Sequence, residues 1–431
     1  MKPLHTCLCF CLSLLLAGFI FPDLRAESRH AVQEYQDSTE YQSFQGKVVE
    51  IHTNNPIIFA SIFLSGTNIG TVSNSEGEFL IKIPMFLENK VIGFSSIGYR
   101  NLEIPVGQLN PEGNLVELEP NPILIEEVTI VNQDARDLLT MAMQSIPENY
   151  SKDPVMLTSF YRETIKQNRN FVSVSEAVLD GYKSSYTNVS DMDRVKIFKG
   201  RKSQDVKKMD TVLFKLQGGP QTMFLLDIVK NPGELFDSEI MDYYIYQMGG
   251  IININDRQAF VITFRQMEHV NIPLYAGKVY IGVDDYAIIG AEFQILEDNL
   301  KNANQYLIRK KPIGMRIDVN NANYLVSYRL IDGTWSLNYV RTELMFTVRW
   351  KKKLFRSRFT TMTEMAVTDI DTRSITKYKF RETTKRSDIF ADKVSNFEDP
   401  DFWGEFNIIQ PEESIQSAIQ RIERKLQRRN R

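Results

Sequence analysis

Three histidines lie outside the apolar N-terminal run: His30, His52 and His269. Zinc chemistry needs clustered ligands, so that one ion can polarise a carbonyl and activate water. These three are far apart, and no H-E-x-x-H or H-x-x-E puts a second ligand on the same helix face. They read as scattered surface or structural side chains. Neighbouring carboxylates occur at Asp191/Asp193, Asp284/Asp285 and Asp369/Asp371. Two carboxyls across a cleft can cleave a glycosidic bond, and several can hold calcium. These pairs fall in loops or at strand ends, where aspartate serves turns. Gly93-Phe-Ser95-Ser-Ile-Gly98 lacks the glycine that a nucleophile elbow needs two residues after its serine. No glycine-rich phosphate loop is present. The expectation is a non-enzymatic chain with no catalytic residue, no metal and no cofactor. A carboxylate-using hydrolase of glycans or peptides is the alternative.

Charge and apolar patterning point to binding. Arg349 to Arg358 is the densest basic stretch. Trp350, Lys351, Lys352, Lys353, Arg356 and Arg358 suit anionic lipid headgroups or a partner's acidic face. They equally suit a solvated hairpin end whose lysines discourage edge pairing. Arg162, Glu163 and Glu176 are charges in apolar strand contexts. They fit either a buried network lining a cleft or pairs on the wet face of a sheet. Near the C-terminus, Ile415, Ala418, Ile419, Ile422 and Leu426 form one helical stripe, and Arg421, Arg424, Lys425, Arg428, Arg429 and Arg431 cluster at its end. Such a helix can dock on its own sheet, a partner or a membrane surface.

These groups need a framework, and the N-terminus sets its compartment. Lys2, the apolar run from Leu4 to Phe21, Pro22 and Ala26 match the n-region, h-region and cleavage site of a signal peptide over residues 1–26. Cys7, Cys9 and Cys11 all fall within it. The mature chain then has no disulfide, thiolate metal site or cysteine nucleophile. Removing Lys2, Arg25 and Asp23 takes the net charge from −3 to −4, against general nucleic-acid binding. No second apolar run reaches the ~18 residues of a membrane helix. The expected location is the periplasm or outer-membrane periphery of a Gram-negative bacterium.

After a polar leader over 27–43, short strands and turns suggest a small β-sandwich over 44–130. Asp134 caps a helix whose buried stripe is Ala135, Leu138, Leu139, Ala142, Met143 and Ile146, and Pro147 stops it. It links, over 131–152, to an antiparallel sheet over 153–400. There Val340, Leu344, Phe346, Val348 and Trp350 share one face of a strand, and Arg341, Glu343, Thr347 and Arg349 the other. Asp332-Gly333 reads as a hairpin turn. A short helix is expected around Thr222 to Val229, and residues 401–431 as the basic helix. The fold class is thus mainly β: a sandwich, then a curved antiparallel sheet forming an open half-barrel, with a few helices.

Gly70-Thr-Val-Ser-Asn-Ser-Glu-Gly-Glu-Phe79, Ser95-Ser-Ile-Gly-Tyr99 and Leu124-Ile-Glu-Glu-Val128 resemble the hairpin, the S-x-x-G-Y element and the exit strand of the carboxypeptidase regulatory-like (prealbumin-like) domain. That resemblance implies a non-peptidase sandwich at the front of an exported Bacteroidota protein. Phe160-Tyr-Arg-Glu163, Ser175-Glu-Ala-Val-Leu179, Lys278-Val-Tyr-Ile281 and Asp332-Gly-Thr-Trp335 resemble a group of exported proteins of unassigned function, distantly similar to the lipoprotein-carrier (Lol) fold. It implies a half-barrel that cups an acyl chain. The resulting expectation is a non-catalytic cell-envelope binding or assembly protein. Its ligand, a lipid or an envelope protein, would sit on the concave face against Phe260, Ile262, Phe264, Leu344, Phe346 and Val348. An ordinary core beneath a helix is the competing account of these six. A small outer-membrane barrel would need apolar bands on every strand, and the outward positions here carry Arg and Glu.

Overall fold

The computed structural model describes residues 40–121, 134–188, 190–204, 215–216, 219–254, 257–310, 314–351, 356–396 and 402–429. All belong to one compact unit, Glu40–Arg431. The expected signal peptide over 1–26, His30 and the Leu124–Val128 motif lie outside the described residues.

The sandwich is built from β1 (Tyr41–Glu50), β2 (Ser61–Leu64), β3 (Gly70–Val72), β4 (Glu78–Pro84), β5 (Val91–Ser95), β6 (Leu102–Pro105) and β7 (Asn114–Leu118). Two sheets, β4-β1-β7 and β3-β2-β5-β6, face each other. β1 begins at Tyr41, so the end of the expected leader is already strand. Alternating apolar residues turn inward, and Phe79 meets Phe94 edge-on at 5.3 Å across the core. In the turn between β3 and β4, Asn74 Oδ1 accepts from the N–H groups of Glu76 and Glu78. Gly77 takes φ +77°, where a Cβ would stand 2.6 Å from Val48 O.

The second part holds one large sheet. Its strands are β8 (Val155–Gln167), β9 (Asn170–Lys183), β10 (Arg194–Gln204), β12 (Tyr244–Ile254), β13 (Arg257–Gln266), β14 (Tyr275–Gly282), β15 (Ile288–Ile295), β17 (Met315–Ile331), β18 (Thr334–Trp350), β19 (Ser357–Asp371) and the short β20 (Ser395–Asn396). β11 (Lys215–Leu216) and β16 (Ile308–Lys310) pair separately. The order is β12-β13-β14-β15-β17-β18-β19-β8-β9-β10-β20, antiparallel except where β20 joins β10. The sheet is curved and does not close, so it is no barrel. Asp332 and Gly333, at φ 47° and 79°, make the two-residue turn between β17 and β18.

One face of this sheet is apolar and carries the main core. Helix α1 (Ala135–Gln144) buries Ala135, Leu138, Leu139 and Ala142 on it, and Asp134 caps the helix by accepting from Arg136 N at 2.8 Å. Each fully buried leucine is worth about 1.5–3 kcal/mol over exposure. Pro147 does not stop α1. The helix ends at Gln144 with Ser145 as its C-cap, and Pro147 sits in the first turn of α2 (Ile146–Asn149), where a missing N–H is harmless. Helix α3 (Pro220–Leu225) is shorter than expected, because the chain beyond it turns Asp227 toward β9. There Lys183 Nζ, 1% exposed, lies between Asp193 and Asp227, with Asp227 2.7 Å away. Tyr186 and Tyr328 both donate to Asp227, at 2.8 and 2.7 Å. Burial opposes both charges, yet the contact holds the Asp227 pKa down and the Lys183 pKa up. Two single turns, α4 (Gly233–Phe236) and α5 (Ser238–Met241), and helix α6 (Leu300–Leu307) cover more of this face.

Glu163 also points to the apolar side, beside Tyr161, whose hydroxyl donates to it at 3.2 Å. Burial raises its pKa. A carboxyl raised by folding opposes folding once pH exceeds its unfolded value, and the penalty disappears on acidification. Glu163→Gln is therefore expected to raise the melting temperature near about pH 7, with a smaller gain near about pH 4. Equal gains at both would contradict the assignment.

Candidate functional site

The other face of the sheet is polar, and register builds a single charge row across it. Lys278 pairs with Glu292, Glu292 with Leu325, Leu325 with Arg341, Arg341 with Glu364, Glu364 with Arg162, Arg162 with Glu176, and Glu176 with Arg201. Eight neighbouring strands each supply one residue. Signs alternate along it except at Leu325, so each side chain faces a partner rather than a like charge.

Half of the row is buried. Arg162, 0% exposed, sends Nε to Glu176 at 2.8 Å, Nη1 to Glu364 at 3.1 Å and Nη2 to the carbonyl of Ile409 at 2.7 Å. Arg201 Nε meets the second oxygen of Glu176 at 3.2 Å, and the Tyr339 hydroxyl meets that of Glu364 at 2.9 Å. Burial disfavours the Arg162 cation, but Glu176, Glu364 and Glu412 raise its pKa above the usual value.

What covers this half is the chain's own segment 402–412, a turn over 402–405 followed by an extended run. Trp403 packs edge-on against Phe160 at 5.3 Å, and Ile408 and Ile409 are buried. Strand β3 and the β3–β4 turn grip the same segment from the sandwich side. Thr71 Oγ1 donates to Ile408 O at 2.9 Å, Asn74 Nδ2 to Gln410 O at 3.1 Å, and Ser75 Oγ to Glu412 at 2.7 Å. Asn407 exchanges two bonds with the backbone of Lys82. Helix α7 (Glu413–Arg429) then seats Ile415, Ala418 and Ile419 on Phe171 and Val174. The basic helix expected over 401–431 thus begins only at Glu413.

The other half lies open in a groove of about 430 Å³. Its floor is Ala276, Lys278, Glu292, Gln294, Asn323, Leu325, Arg341 and Glu343. Lys278, Glu292 and Gln294 are exposed. Phe59, from the sandwich, forms the wall nearest the covered half. It stacks on Tyr339 at 5.3 Å, and the Arg341 guanidinium lies 4.7 Å from its ring. Phe59 adopts φ +57°, a left-handed conformation that costs a bulky residue of order 1–3 kcal/mol. That strain is held by packing at the site itself. Burial works against the Arg341 charge, while Tyr339, Glu364 and Glu343 raise its pKa. Tyr280 donates to Glu292 at 3.0 Å, fixing that carboxylate for an incoming donor.

The six expected lining residues are elsewhere and do not form one surface. Phe260, Ile262 and Phe264 are buried in the main core, where Phe236 and Tyr244 lie edge-on to Phe264. Phe346 and Val348 belong to a second cluster with Met315, Ile317 and Phe359. Leu344 is half-buried near α6. Of the expected basic patch, Lys351, Arg356 and Arg358 are exposed at the β18–β19 end and Trp350 is half-buried, while Lys352 and Lys353 lie outside the described residues. Arg162 and Glu176 do form a buried network, but Glu163 faces the opposite side of the sheet.

The carboxylate pairs have structural employment. Asp191 binds Tyr182 and Lys377, Asp285 binds Arg257 and Trp335, and Asp371 accepts from the N–H groups of Arg373 and Ser374. Burial raises the pKa of Asp180 and Asp369, but neither lines the groove. His52 and His269 are exposed. Among the described residues no three of His, Cys, Asp and Glu converge to hold a metal. No described helix is long and apolar enough to cross a membrane.

Residues 44–130 are a CarboxypepD_reg-like domain, matched by the family model of that description. It accounts for the sandwich and leaves the large sheet unassigned. Among solved structures, the chain is similar to a domain described as an outer membrane lipoprotein-sorting protein, from Vibrio parahaemolyticus. Identity is 10%, with 57% of this chain and 96% of that one covered at a TM-score of 0.26. A DUF1329 family protein from Desulfovibrio piger gives 10% identity, 58% and 99% coverage, and a TM-score of 0.25. A membrane-associated protein of unknown function from Bacteroides fragilis gives 10%, 77% and 99%, and 0.14. None of these names is carried over to this chain. No curated protein sequence matches it.

Proposed function

We propose that this chain is a non-catalytic cell-envelope binding protein that holds an extended segment of a partner protein in the groove between Phe59 and strands β14, β15, β17 and β18. One observation carries the proposal. The row runs from the covered half into the groove, interrupted only at Leu325, and in the covered half the extended run 406–412 already lies on it, held through main-chain carbonyls. Arg341 and Lys278 offer donors for the carbonyls of a second such segment, and Glu292 and Glu343 offer acceptors for its N–H groups. A groove at the junction of two folded parts is a common place for recognition. The apolar run of residues 4–21 supports the envelope address.

Native mass spectrometry on mature protein purified gently from its own envelope tests this. A bound partner protein is expected. Asn323→Trp, which fills the half-buried floor, and Lys278→Glu are each expected to weaken it at least about tenfold, the weight of one well-placed contact. A bare protein, or a partner retained equally by both variants, would speak against the groove.

A further inference from the structure

Strand β10 carries a second feature that the groove does not use. Arg194, Lys196, Lys199 and Arg201 share the polar face, and each lies over a ring. Arg194 is 4.1 Å from Phe380, Lys196 5.4 Å from Tyr378, Lys199 4.9 Å from Phe402 and Arg201 4.7 Å from Trp403. The first two rings come from a strap, residues 372–387, that crosses the polar face. It is fastened by Arg194 donating to Tyr378 O and by Thr384 N donating to Val195 O at 2.8 Å. The strap holds Arg373, Lys377, Lys379, Arg381, Lys385 and Arg386 against the single carboxylate Glu382, in a chain whose net charge is −3.

The carboxylates nearby are partly engaged. Asp191 takes Lys377 at 2.6 Å, Glu382 accepts from Lys379 N at 2.9 Å, Asp388 accepts from Lys385 N at 3.0 Å, and Asp180 lies near Lys196. Large apolar side chains stand exposed among these cations: Met192 at 59%, Phe198 at 54%, Ile375 at 38% and Phe380 at 56%. A soluble polyanion would need the charges alone. Exposed phenyl rings set between cations match the boundary between phosphate headgroups and acyl chains.

We propose that this strip docks the protein on a membrane surface bearing anionic phosphate headgroups. Lys379, Arg381 and Lys196 meet the phosphates, and Phe380 and Phe198 enter the acyl boundary. Sedimentation of the mature protein with vesicles of mixed phosphatidylglycerol and phosphatidylcholine tests it, with phosphatidylcholine vesicles and soluble polyphosphate as the other arms. Binding to the mixed vesicles is expected, falling with salt. The pair Lys379→Ser with Arg381→Ser should weaken it about thirtyfold, at roughly 1 kcal/mol per cation. Phe380→Ser should weaken it about tenfold or more through lost apolar burial. These side chains are exposed, so unchanged melting curves separate a docking defect from misfolding. Binding that ignores lipid charge, variants that bind like the parent, or binding to polyphosphate with none to vesicles would each overturn the proposal.

Discussion

Replacing Arg162 by methionine is expected to destabilise the protein by about 3–5 kcal/mol. The loss does not come from the ion pairs as such. A buried pair roughly balances its own desolvation, but removing one partner strands the other. Here one cation serves Glu176, Glu364 and the carbonyl of Ile409, so three buried acceptors each lose a donor at once, and Arg201 and Tyr339 still reach only the second oxygen of each glutamate. The damage should also be directional. Segment 402–412 loses its anchor on the sheet at Ile409 while keeping its bonds to Thr71 and Asn74. Urea unfolding reads the first effect. Faster amide exchange over 402–412 than in the sandwich core reads the second. A loss below about 1 kcal/mol would mean that the two glutamates find other partners.

Lys183→Met should cost a similar amount, about 3–5 kcal/mol, for the same reason at a different place. Asp193 and Asp227 would remain buried and face each other without the ammonium between them. Acid should tell the two proteins apart. In the parent, the lowered Asp227 pKa gives stability that is present above the unfolded carboxyl value of about 3.9 and lost as pH falls through the folded value. The raised Lys183 pKa gives stability present below about 10.4 and lost as pH rises through the folded value. In the variant the pair of carboxylates favours protonation, so acidification from neutral pH should narrow the gap between variant and parent. A gap that widens on acidification would contradict the arrangement.

Local features of the chain were legible. The Gly70–Phe79 hairpin marked the sandwich, Asp332-Gly333 marked the β17–β18 turn, and Asp134 marked the start of α1. In β18 the alternation of Val340, Phe346 and Val348 against Arg341, Glu343 and Arg349 is what the structure shows. Alternation tells which side of a strand packs, however, not what packs on it. Phe260, Ile262 and Phe264 looked the same from sequence whether a ligand or the chain's own residues covered them. The charge row was beyond reach for another reason. Its members lie between residues 162 and 364, and only register across seven strand pairings brings them together. Arg162 and Glu176 stood out as charges in apolar strands, and that was the one signal available. Lys278, Glu292 and Arg341 read as ordinary wet-face residues, and only the fold shows Arg341 held between Glu343 and Glu364.

Whether the groove takes an extended protein segment is read by a photo-reactive side chain placed on its floor. Asn323 is replaced by benzoylphenylalanine in the mature protein, and the label is activated in intact envelopes, with Arg349, outside the groove, as the control position. Cross-links are expected from position 323 to one short stretch of a partner protein, reduced by Lys278→Glu and absent from position 349. Cross-links only to lipid, or the same products from both positions, would contradict it.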